Sequence, residues 1–68
     1  MAMRWQRISG STMMNRAGYD FESETMEIEF SSGQVYTFNE VPVSVFNGLL
    51  EATSPGQYYH RNIKGSYG

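Results

Sequence analysis

The sequence predicts an α+β fold, in which a three-stranded antiparallel β-sheet (a meander) is followed by two short helices packed on one face. Three observations support this prediction. Apolar and polar residues alternate along Thr25–Phe30, which is the period of a half-buried strand. Phe46 and Leu49-Leu50 recur at the spacing of one helical face. Ser54-Pro55 then signals the start of a second helix, because serine is a favoured N-cap and proline fits the first turn.

The N-terminal part of the chain is less regular. Residues 1–9 have no clear periodicity, so we expect an N-terminal arm, and residues 10–68 are expected to form a single domain. Met13–Tyr19 is a candidate for the first strand of the sheet. The polar segment Asp20–Glu24 that follows it predicts a turn into the second strand.

The length of the turn between the second and third strands decides which side chains share a face. A two-residue turn would place the aromatic residues of the third strand beside the glutamates of the second. A three-residue loop at Ser31–Gly33 instead places Tyr36 opposite Ile28, and Phe38 opposite Met26. The longer loop is preferred, because two-residue type I′ turns favour Asn-Gly or Asp-Gly. Tyr36 and Phe38 are therefore predicted to be core residues that form a structural motif beneath the first helix.

Glycine and proline mark the limits of the helices. Pro42 opens the first helix, where its missing N–H costs nothing. Gly48 weakens that helix by about 1 kcal/mol relative to alanine, so we expect a close packing contact at this position. The second helix would run to about Ile63, with Tyr59 also facing inward, and Gly65 would end it.

Size and composition limit the protein to one small domain. The 68 residues include no cysteine, so neither a disulfide nor a cysteine zinc site stabilises the fold. Aromatic residues (four Phe, five Tyr and one Trp) supply packing area instead. No apolar run approaches the ~20 residues of a membrane span, and the first ten residues lack the apolar core of a signal peptide. We therefore expect a cytoplasmic protein without membrane contact.

The formal charge of −2 is distributed unevenly along the chain. Residues 1–16 carry three arginines and no acid, residues 20–51 carry all seven acids and no Lys or Arg, and residues 52–68 carry two cations and the only histidine. If the two termini meet, they form a basic patch on an acidic body. The alternative is that these cations are scattered over the surface and only aid solubility.

An ordered set of short motifs spans most of the chain: Ser11, Met14, Gly18-Tyr19-Asp20, Phe30, Gly33, Tyr36-Thr37-Phe38, Val41-Pro42, Ala52, Ser54, Gly56, Tyr58-Tyr59 and Ile63. In order and spacing this set resembles the KTSC domain, a short module named for its place at the C-terminus of some lysyl-tRNA synthetases. The resemblance covers residues 8–67. It implies a domain with no known enzymatic activity, for which RNA binding has been suggested from the synthetase association. It also implies kinship with stand-alone bacterial and phage proteins of unknown function.

Two departures from the family pattern affect what the resemblance implies. The family's Tyr-x-Tyr is here Tyr36-Thr37-Phe38, so any role that needs the second hydroxyl is lost. His60 stands where the family often has asparagine, and Lys64 stands where it usually has arginine. A planar guanidinium fork is therefore absent at the latter position.

The sequence offers few groups for catalysis. Glu27 and Glu29 would lie about 6–7 Å apart on one strand face, which suits a carboxylate pair or a weak Ca²⁺ contact. A hard-cation site wants six or more oxygens, so a solvated strand face is the simpler interpretation. His60 could act as a base and Ser54 as a nucleophile, but Ser54 already serves as a helix cap and the histidine has no evident orienting partner. We predict that the protein is not an enzyme and uses no cofactor or metal.

Two binding hypotheses remain. Binding of RNA or another single-stranded nucleic acid is suggested by interleaved aromatic and basic side chains, although a pI near 5.1 is low for such a protein. The candidate residues are Tyr58, Tyr59, His60, Arg61, Lys64, Arg4 and Arg7, with Trp5 beside the last two. The alternative is a protein-interaction module or a self-associating protein, contacted at the hairpin edge or at exposed helix aromatics.

Overall fold

A computed structural model describes residues 3–67 and contains a four-stranded antiparallel sheet in the order β1-β2-β3-β4, followed by two helices. The strands are β1 (Arg4–Arg7), β2 (Met14–Asp20), β3 (Thr25–Phe30) and β4 (Val35–Phe38). Helices α1 (Val43–Glu51) and α2 (Pro55–Tyr58) follow, and α2 continues directly as a π-helical segment (Tyr59–Ile63). The predicted α+β class, the meander order and the two helices are confirmed.

The prediction of an N-terminal arm is wrong for residues 4–7, which form the edge strand β1 and raise the number of strands from three to four. β1 pairs with β2 in antiparallel register, with Trp5 opposite Gly18. It shows no period-2 pattern because most of its side chains are polar and exposed, as is common for an edge strand. The remaining terminal residues of the predicted arm and domain, Met1, Ala2 and Gly68, lie outside the described residues.

The β3–β4 hairpin has the predicted three-residue loop. Gly33 has a φ of 97°, and its N–H donates to the Phe30 carbonyl over 2.9 Å. The Phe30 N–H in turn donates to the Gln34 carbonyl over 2.8 Å. These two bonds define a type I turn with a glycine bulge. The register that follows is the predicted one, with Tyr36 opposite Ile28.

The helices close a single core against one side of the sheet, which we call the covered face. Because side chains alternate along a strand, the opposite side carries a different set, and we call it the open face. The covered face and the elements above it bury Ala17, Tyr19, Met26, Ile28, Phe38, Val41, Phe46, Leu49, Tyr59 and Ile63. The prediction that Tyr59 and Ile63 face inward is confirmed. The open face carries Trp5, Arg7, Arg16, Gly18, Glu27, Glu29, Val35 and Thr37.

Tyr36 is the exception to the predicted core. The register places it on the covered face, yet 47% of its surface is exposed, whereas Phe38 is 7% exposed. Phe38 lies beneath the ring of Tyr59, at 6.3 Å between centroids. Tyr36 lies two residues nearer the hairpin tip, on an edge strand that the short helices do not reach over, and its hydroxyl donates to Gln34 Oε1 over 2.9 Å. The core prediction is confirmed for Phe38 and wrong for Tyr36.

The residues that limit the helices behave largely as predicted. Pro42 immediately precedes α1, and Gly65, with a φ of 80°, follows the π-helical segment. A Cβ on Gly48 would lie 2.7 Å from Tyr58 Cζ, so the expected close contact is confirmed. Ser54 occupies the N-cap position of α2, but its side chain makes no capping hydrogen bond, so its role as a side-chain cap is corrected. No helix within residues 3–67 has the length and apolar character needed to cross a membrane.

The connector between β4 and α1 is fixed to the sheet at Val41, which is fully buried. The Val41 N–H donates to the Glu24 carbonyl over 2.8 Å, and the Val41 carbonyl accepts a hydrogen bond from the Tyr19 hydroxyl. Burial raises the pKa of Tyr19, and the nearby charges of Glu24 and Asp20 raise it further. Tyr19 therefore remains a neutral hydrogen-bond donor that joins β2 to the start of the helical half.

Candidate functional site: an aromatic groove

An open groove of about 430 Å³ lies between the tip of the β3–β4 hairpin and the π-helical segment. We call it the aromatic groove. Three of the residues predicted to bind nucleic acid, Tyr59, His60 and Lys64, meet in it. Among residues 3–67, its lining is Met13, Phe30, Ser31, Ser32, Gln34, Tyr36, Tyr59, His60 and Lys64.

Aromatic rings form the floor and one wall of the groove. The centre of the Phe30 ring lies 5.2 Å from the centre of the Tyr36 ring and 5.4 Å from that of the Tyr59 ring. Tyr59 also contacts His60 edge to face at 5.5 Å. These tilted and edge-on arrangements are the favourable ones for aromatic pairs, so the rings hold one another in place. Tyr59 is buried in the floor, while Tyr36 keeps nearly half of its surface open to a ligand.

The part of the groove lining that the structure describes includes no acidic residue, although the protein as a whole is acidic. Its charged and titratable side chains are Lys64 and His60, which are both exposed, and the tyrosines. Burial raises the pKa of Tyr59, and the neighbouring Tyr36 adds to this effect. The Tyr59 hydroxyl therefore adds no negative charge at neutral pH. The groove offers the half-exposed ring of Tyr36 together with the positive charge of Lys64.

The π-helical segment brings the polar side chains to the groove. The Lys64 N–H donates to the Tyr59 carbonyl over 2.8 Å, so the hydrogen bond spans five residues instead of four. This wider turn buries Tyr59 and Ile63 in the core while His60 and Lys64 face the groove. Turns of this kind are rare and often occur at functional sites.

Tyr36 is a residue of the groove that sequence reasoning assigned to the core. The alternation along β4 correctly gives its face, but a pattern does not show how far the helices extend over that face. The one sequence signal for its exposure is its position, because Tyr36 lies two residues after Gln34, at the tip of a hairpin. Phe30 is a second groove residue that the sequence predicts only as a strand residue, and Met13 reaches the groove from the segment before β2.

The other predicted nucleic-acid-binding residues lie elsewhere. Tyr58 packs against α1 at Gly48 and is half-buried. Arg61 is exposed but is not part of the groove lining. Arg4 and Arg7 lie on β1, at the sheet edge opposite β4.

The predicted basic patch between the two termini is wrong. Arg7 lies opposite Arg16 on the open face of the sheet. Lys64 follows the π-helical segment, on the covered side. Arg7 and Arg16 therefore lie on the opposite side of the sheet from Lys64, because alternate residues of one strand point to opposite sides. Arg4 shares the covered face with its partner Tyr19, but it lies on β1, the edge strand farthest from β4.

A second depression, of about 410 Å³, lies on the open face and is already occupied by its own contacts. The Arg16 guanidinium lies 4.3 Å from the centre of the Trp5 ring, and Arg16 Nε donates to Glu29 Oε1 over 2.9 Å. Asn15 donates to the other oxygen of Glu29 over 3.3 Å. The hydrogen bond from Arg16, followed by that from Asn15, lowers the pKa of Glu29. Trp5 itself lies over Gly18, where a Cβ would approach its ring to 2.9 Å.

The groups considered for catalysis are not assembled into one site. Glu27 and Glu29 share the open face, but Glu29 is paired with Arg16, and Glu27 accepts a 3.5 Å hydrogen bond from the Thr37 hydroxyl. Ser54 begins α2 and does not line the groove that contains His60. Among residues 3–67, no group of three His, Cys, Asp or Glu side chains is arranged to hold a metal ion.

Comparisons with known proteins agree with this architecture. A model of the KTSC domain family matches residues 10–67. A crystal structure of a KTSC domain protein from Yersinia pestis is similar with a TM-score of 0.90 and 30% sequence identity, covering 97% of this chain and 92% of that one. An uncharacterized protein from Stutzerimonas stutzeri (strain A1501) is 41% identical over 54 residues, which are 79% of this chain and 76% of the relative.

Some relatives are much larger. A lysine–tRNA ligase from Trichormus variabilis is 43% identical over 49 residues, which are 72% of this chain but 9% of the ligase. A lysine–tRNA ligase from Nostoc punctiforme is 38% identical over 56 residues, or 82% of this chain and 10% of the ligase. The similarity is therefore confined to a small part of each ligase.

Proposed function

The chain belongs to the KTSC domain family, as its motifs predict, and we propose that it is a non-enzymatic binding module whose aromatic groove holds single-stranded RNA. The observation that carries this proposal is the lining of the groove, where Tyr36, His60 and Lys64 meet without any acidic side chain from residues 3–67. Relatives of this chain form part of lysine–tRNA ligases, whose names specify an RNA substrate. In this proposal the protein acts in the cytoplasm, which agrees with its lack of cysteine.

The chemistry of the groove favours an unpaired nucleotide. Unstacked bases are held by aromatic side chains, and the phosphates beside them are held by cations. Here the exposed ring of Tyr36 would stack on a base, and Lys64 would contact a phosphate. The groove volume of about 430 Å³ is within the ordinary range of ligand sites. A single groove with one lysine predicts weak binding, with few phosphate contacts and a shallow salt dependence.

Binding is favoured over catalysis because the groove lacks a complete set of reacting groups. His60 is the one imidazole among the lining residues that the structure describes, and no carboxylate among them could orient it. Ser54, the nucleophile considered from the sequence, lies outside the lining.

Fluorescence anisotropy with a labelled single-stranded RNA of about ten nucleotides tests the proposal. Tyr36→Ala should weaken binding by the about 1–3 kcal/mol that one stacked base contributes. Lys64→Gln should weaken it at low salt and reduce the slope of log K against log salt by about 0.7, the value for one phosphate contact on a single strand. Arg61→Gln is the matched control, because it removes the same charge from the same turn but outside the groove.

Two results would contradict the proposal. One is the absence of binding even at about 50 mM salt, where phosphate contacts are strong. The other is equal weakening of RNA binding by Lys64→Gln and Arg61→Gln. This result would mean that RNA responds only to the total positive charge of the helical segment. Binding of DNA and RNA with equal affinity would remove RNA from the proposal and leave a site for single strands in general.

The second candidate function is a protein-interaction module. One observation favours it: β4 is an uncharged edge strand on which Val35 and Tyr36 are each 47% exposed. An exposed strand edge is a common docking place for an extended segment of another chain.

A further inference from the structure

The two edges of the sheet differ in how they are protected from pairing. β1 carries Arg4 and Arg7 among its four residues, and charged residues on an edge strand discourage another strand from pairing with it. β4 has the sequence Val-Tyr-Thr-Phe, without charge, proline or glycine. Two of its side chains, Val35 and Tyr36, are among the most exposed large apolar residues described. The edge at β4 therefore lacks the charged residues and the proline that discourage pairing at many strand edges.

The hairpin geometry fixes which backbone groups point away from the sheet at β4. Phe30 and Gln34 are joined by a backbone hydrogen bond at the turn, and hydrogen-bonded pairs alternate with non-bonded pairs along an antiparallel ladder. Tyr36, two residues further, therefore directs its N–H and C=O to β3. Val35 and Thr37 direct theirs outward, so each offers one donor and one acceptor to another strand.

We propose that β4 pairs with the β4 strand of a second copy of this chain, in antiparallel register centred on Tyr36. In this register Val35 lies opposite Thr37 of the second copy, and each such pair exchanges two backbone hydrogen bonds. Twofold symmetry repeats the pair, so four hydrogen bonds join two four-stranded sheets into one of eight strands. This inference does not rest on the proposed RNA binding.

The side chains of β4 fit this partner. Tyr36 lies at the centre, opposite Tyr36 of the second copy, and aromatic pairs across strands are stabilising. Val35 and Thr37 are both β-branched residues, which favour strands. No charged side chain from β4 is brought against its copy. Because only four residues of each chain take part, the contact is small and the dimer is weak, of the kind that forms at high protein concentration.

The dimer would also change the aromatic groove. Tyr36 lines the groove and lies at the centre of the proposed contact, so the grooves of the two copies would adjoin across the twofold axis. A single strand of nucleic acid, if bound, could then pass from one groove to the next.

Val35→Pro is the decisive variant. Proline is tolerated at the first residue of an edge strand whose N–H faces away from the sheet, and Val35 meets both conditions. The change removes the outward donor and blocks the approaching strand. Val35→Ala is the matched control, because it shortens the side chain but keeps the N–H. Sedimentation velocity up to about 1 mM protein should show concentration-dependent dimers for the native chain and Val35→Ala, and monomers for Val35→Pro.

Amide hydrogen exchange of the native chain gives a second measurement that needs no variant, in case Val35→Pro does not fold. Protection of the Val35 and Thr37 amides should rise with protein concentration, while the outward amides of β1, at Trp5 and Arg7, should stay unprotected. Monomers at every concentration would overturn the proposal. So would dimers that persist in Val35→Pro, or protection that rises at β1 instead of β4.

Discussion

The covered and open faces of the sheet are held together by different interactions. On the covered face, side chains such as Met26 and Ile28 are fully buried under the helices. On the open face, the main contacts are the ring of Trp5, the guanidinium of Arg16 and the carboxylate of Glu29, and the ion pair is partly exposed on both sides. Apolar burial stabilises by roughly 25 cal/mol per Å², whereas exposed ion pairs contribute about 0–1 kcal/mol. Most of the stability of this small domain therefore comes from the covered face. Substitutions on the open face and at the edges of the sheet should destabilise the fold less.

The largest expected effect compares two aromatic residues on the covered face. Phe38→Ala should lower the free energy of unfolding by about 3–5 kcal/mol, because it opens a cavity under Tyr59. A domain of this size has a total stability of about 5 kcal/mol, so this variant should be largely unfolded. Tyr36→Ala, two residues away but half exposed, should cost about 1 kcal/mol or less. Urea denaturation of both variants checks this, and equal losses would show that the covered face extends to the hairpin tip.

A smaller effect is expected from a single hydroxyl in the core. Tyr19→Phe removes the donor to the Val41 carbonyl and leaves that buried acceptor without its partner, so it should cost about 1–3 kcal/mol. Tyr36→Phe is the matched control, because its hydroxyl bonds to Gln34 at the surface, and it should change stability by no more than ~0.5 kcal/mol. Thermal denaturation measures both. A neutral Tyr19→Phe would mean that water or another donor replaces the lost bond.

The smallest effect is a pH dependence on the open face. The pKa of Glu29 is lowered by Arg16, so its contribution to stability is present above its ordinary pKa of 4.5 and is lost as the pH falls through the lowered value. Glu29→Gln should therefore lower the melting temperature at pH 7, and the difference from the native chain should shrink as the pH falls through the lowered pKa of Glu29. Glu27→Gln, on the same strand and face, should not reproduce this change. If the difference in melting temperature between the native chain and Glu29→Gln does not change with pH, the ion pair does not contribute to the stability of the fold.

The sequence predicts the architecture well because most of it follows from local rules. The turn at Ser31–Gly33 determines the register of the β3–β4 hairpin, since the glycine requirement of the bulge is local. The spacing of Phe46 and Leu49 likewise gives the buried side of α1. The strand β1 is missed because an edge strand needs no apolar alternation, and its pairing with β2 depends on backbone groups that the sequence does not distinguish.

The candidate site is only partly predictable from the sequence. The exposure of its residues depends on where each helix and strand ends, and not only on which elements form. Tyr59, His60 and Lys64 are identified from their aromatic and basic character. Tyr36 is not, because its exposure depends on how far the helices reach over the sheet. Arg7 is wrongly joined to the site, because the charge pattern does not show that Arg7 lies on the opposite side of the sheet from Lys64.

The hydrogen bond from Tyr19 to Val41 also has a consequence for folding kinetics. It joins residues 22 positions apart, whereas the β2–β3 and β3–β4 hairpins join segments that follow each other directly. Closing a longer loop costs more entropy, so we expect the hairpins to be formed in the transition state and this bond to form after it. Tyr19→Phe should then speed unfolding and leave the refolding rate almost unchanged, with a φ-value near zero. The hairpins would determine the folding rate, and the hydrogen bond to the connector would affect the unfolding rate.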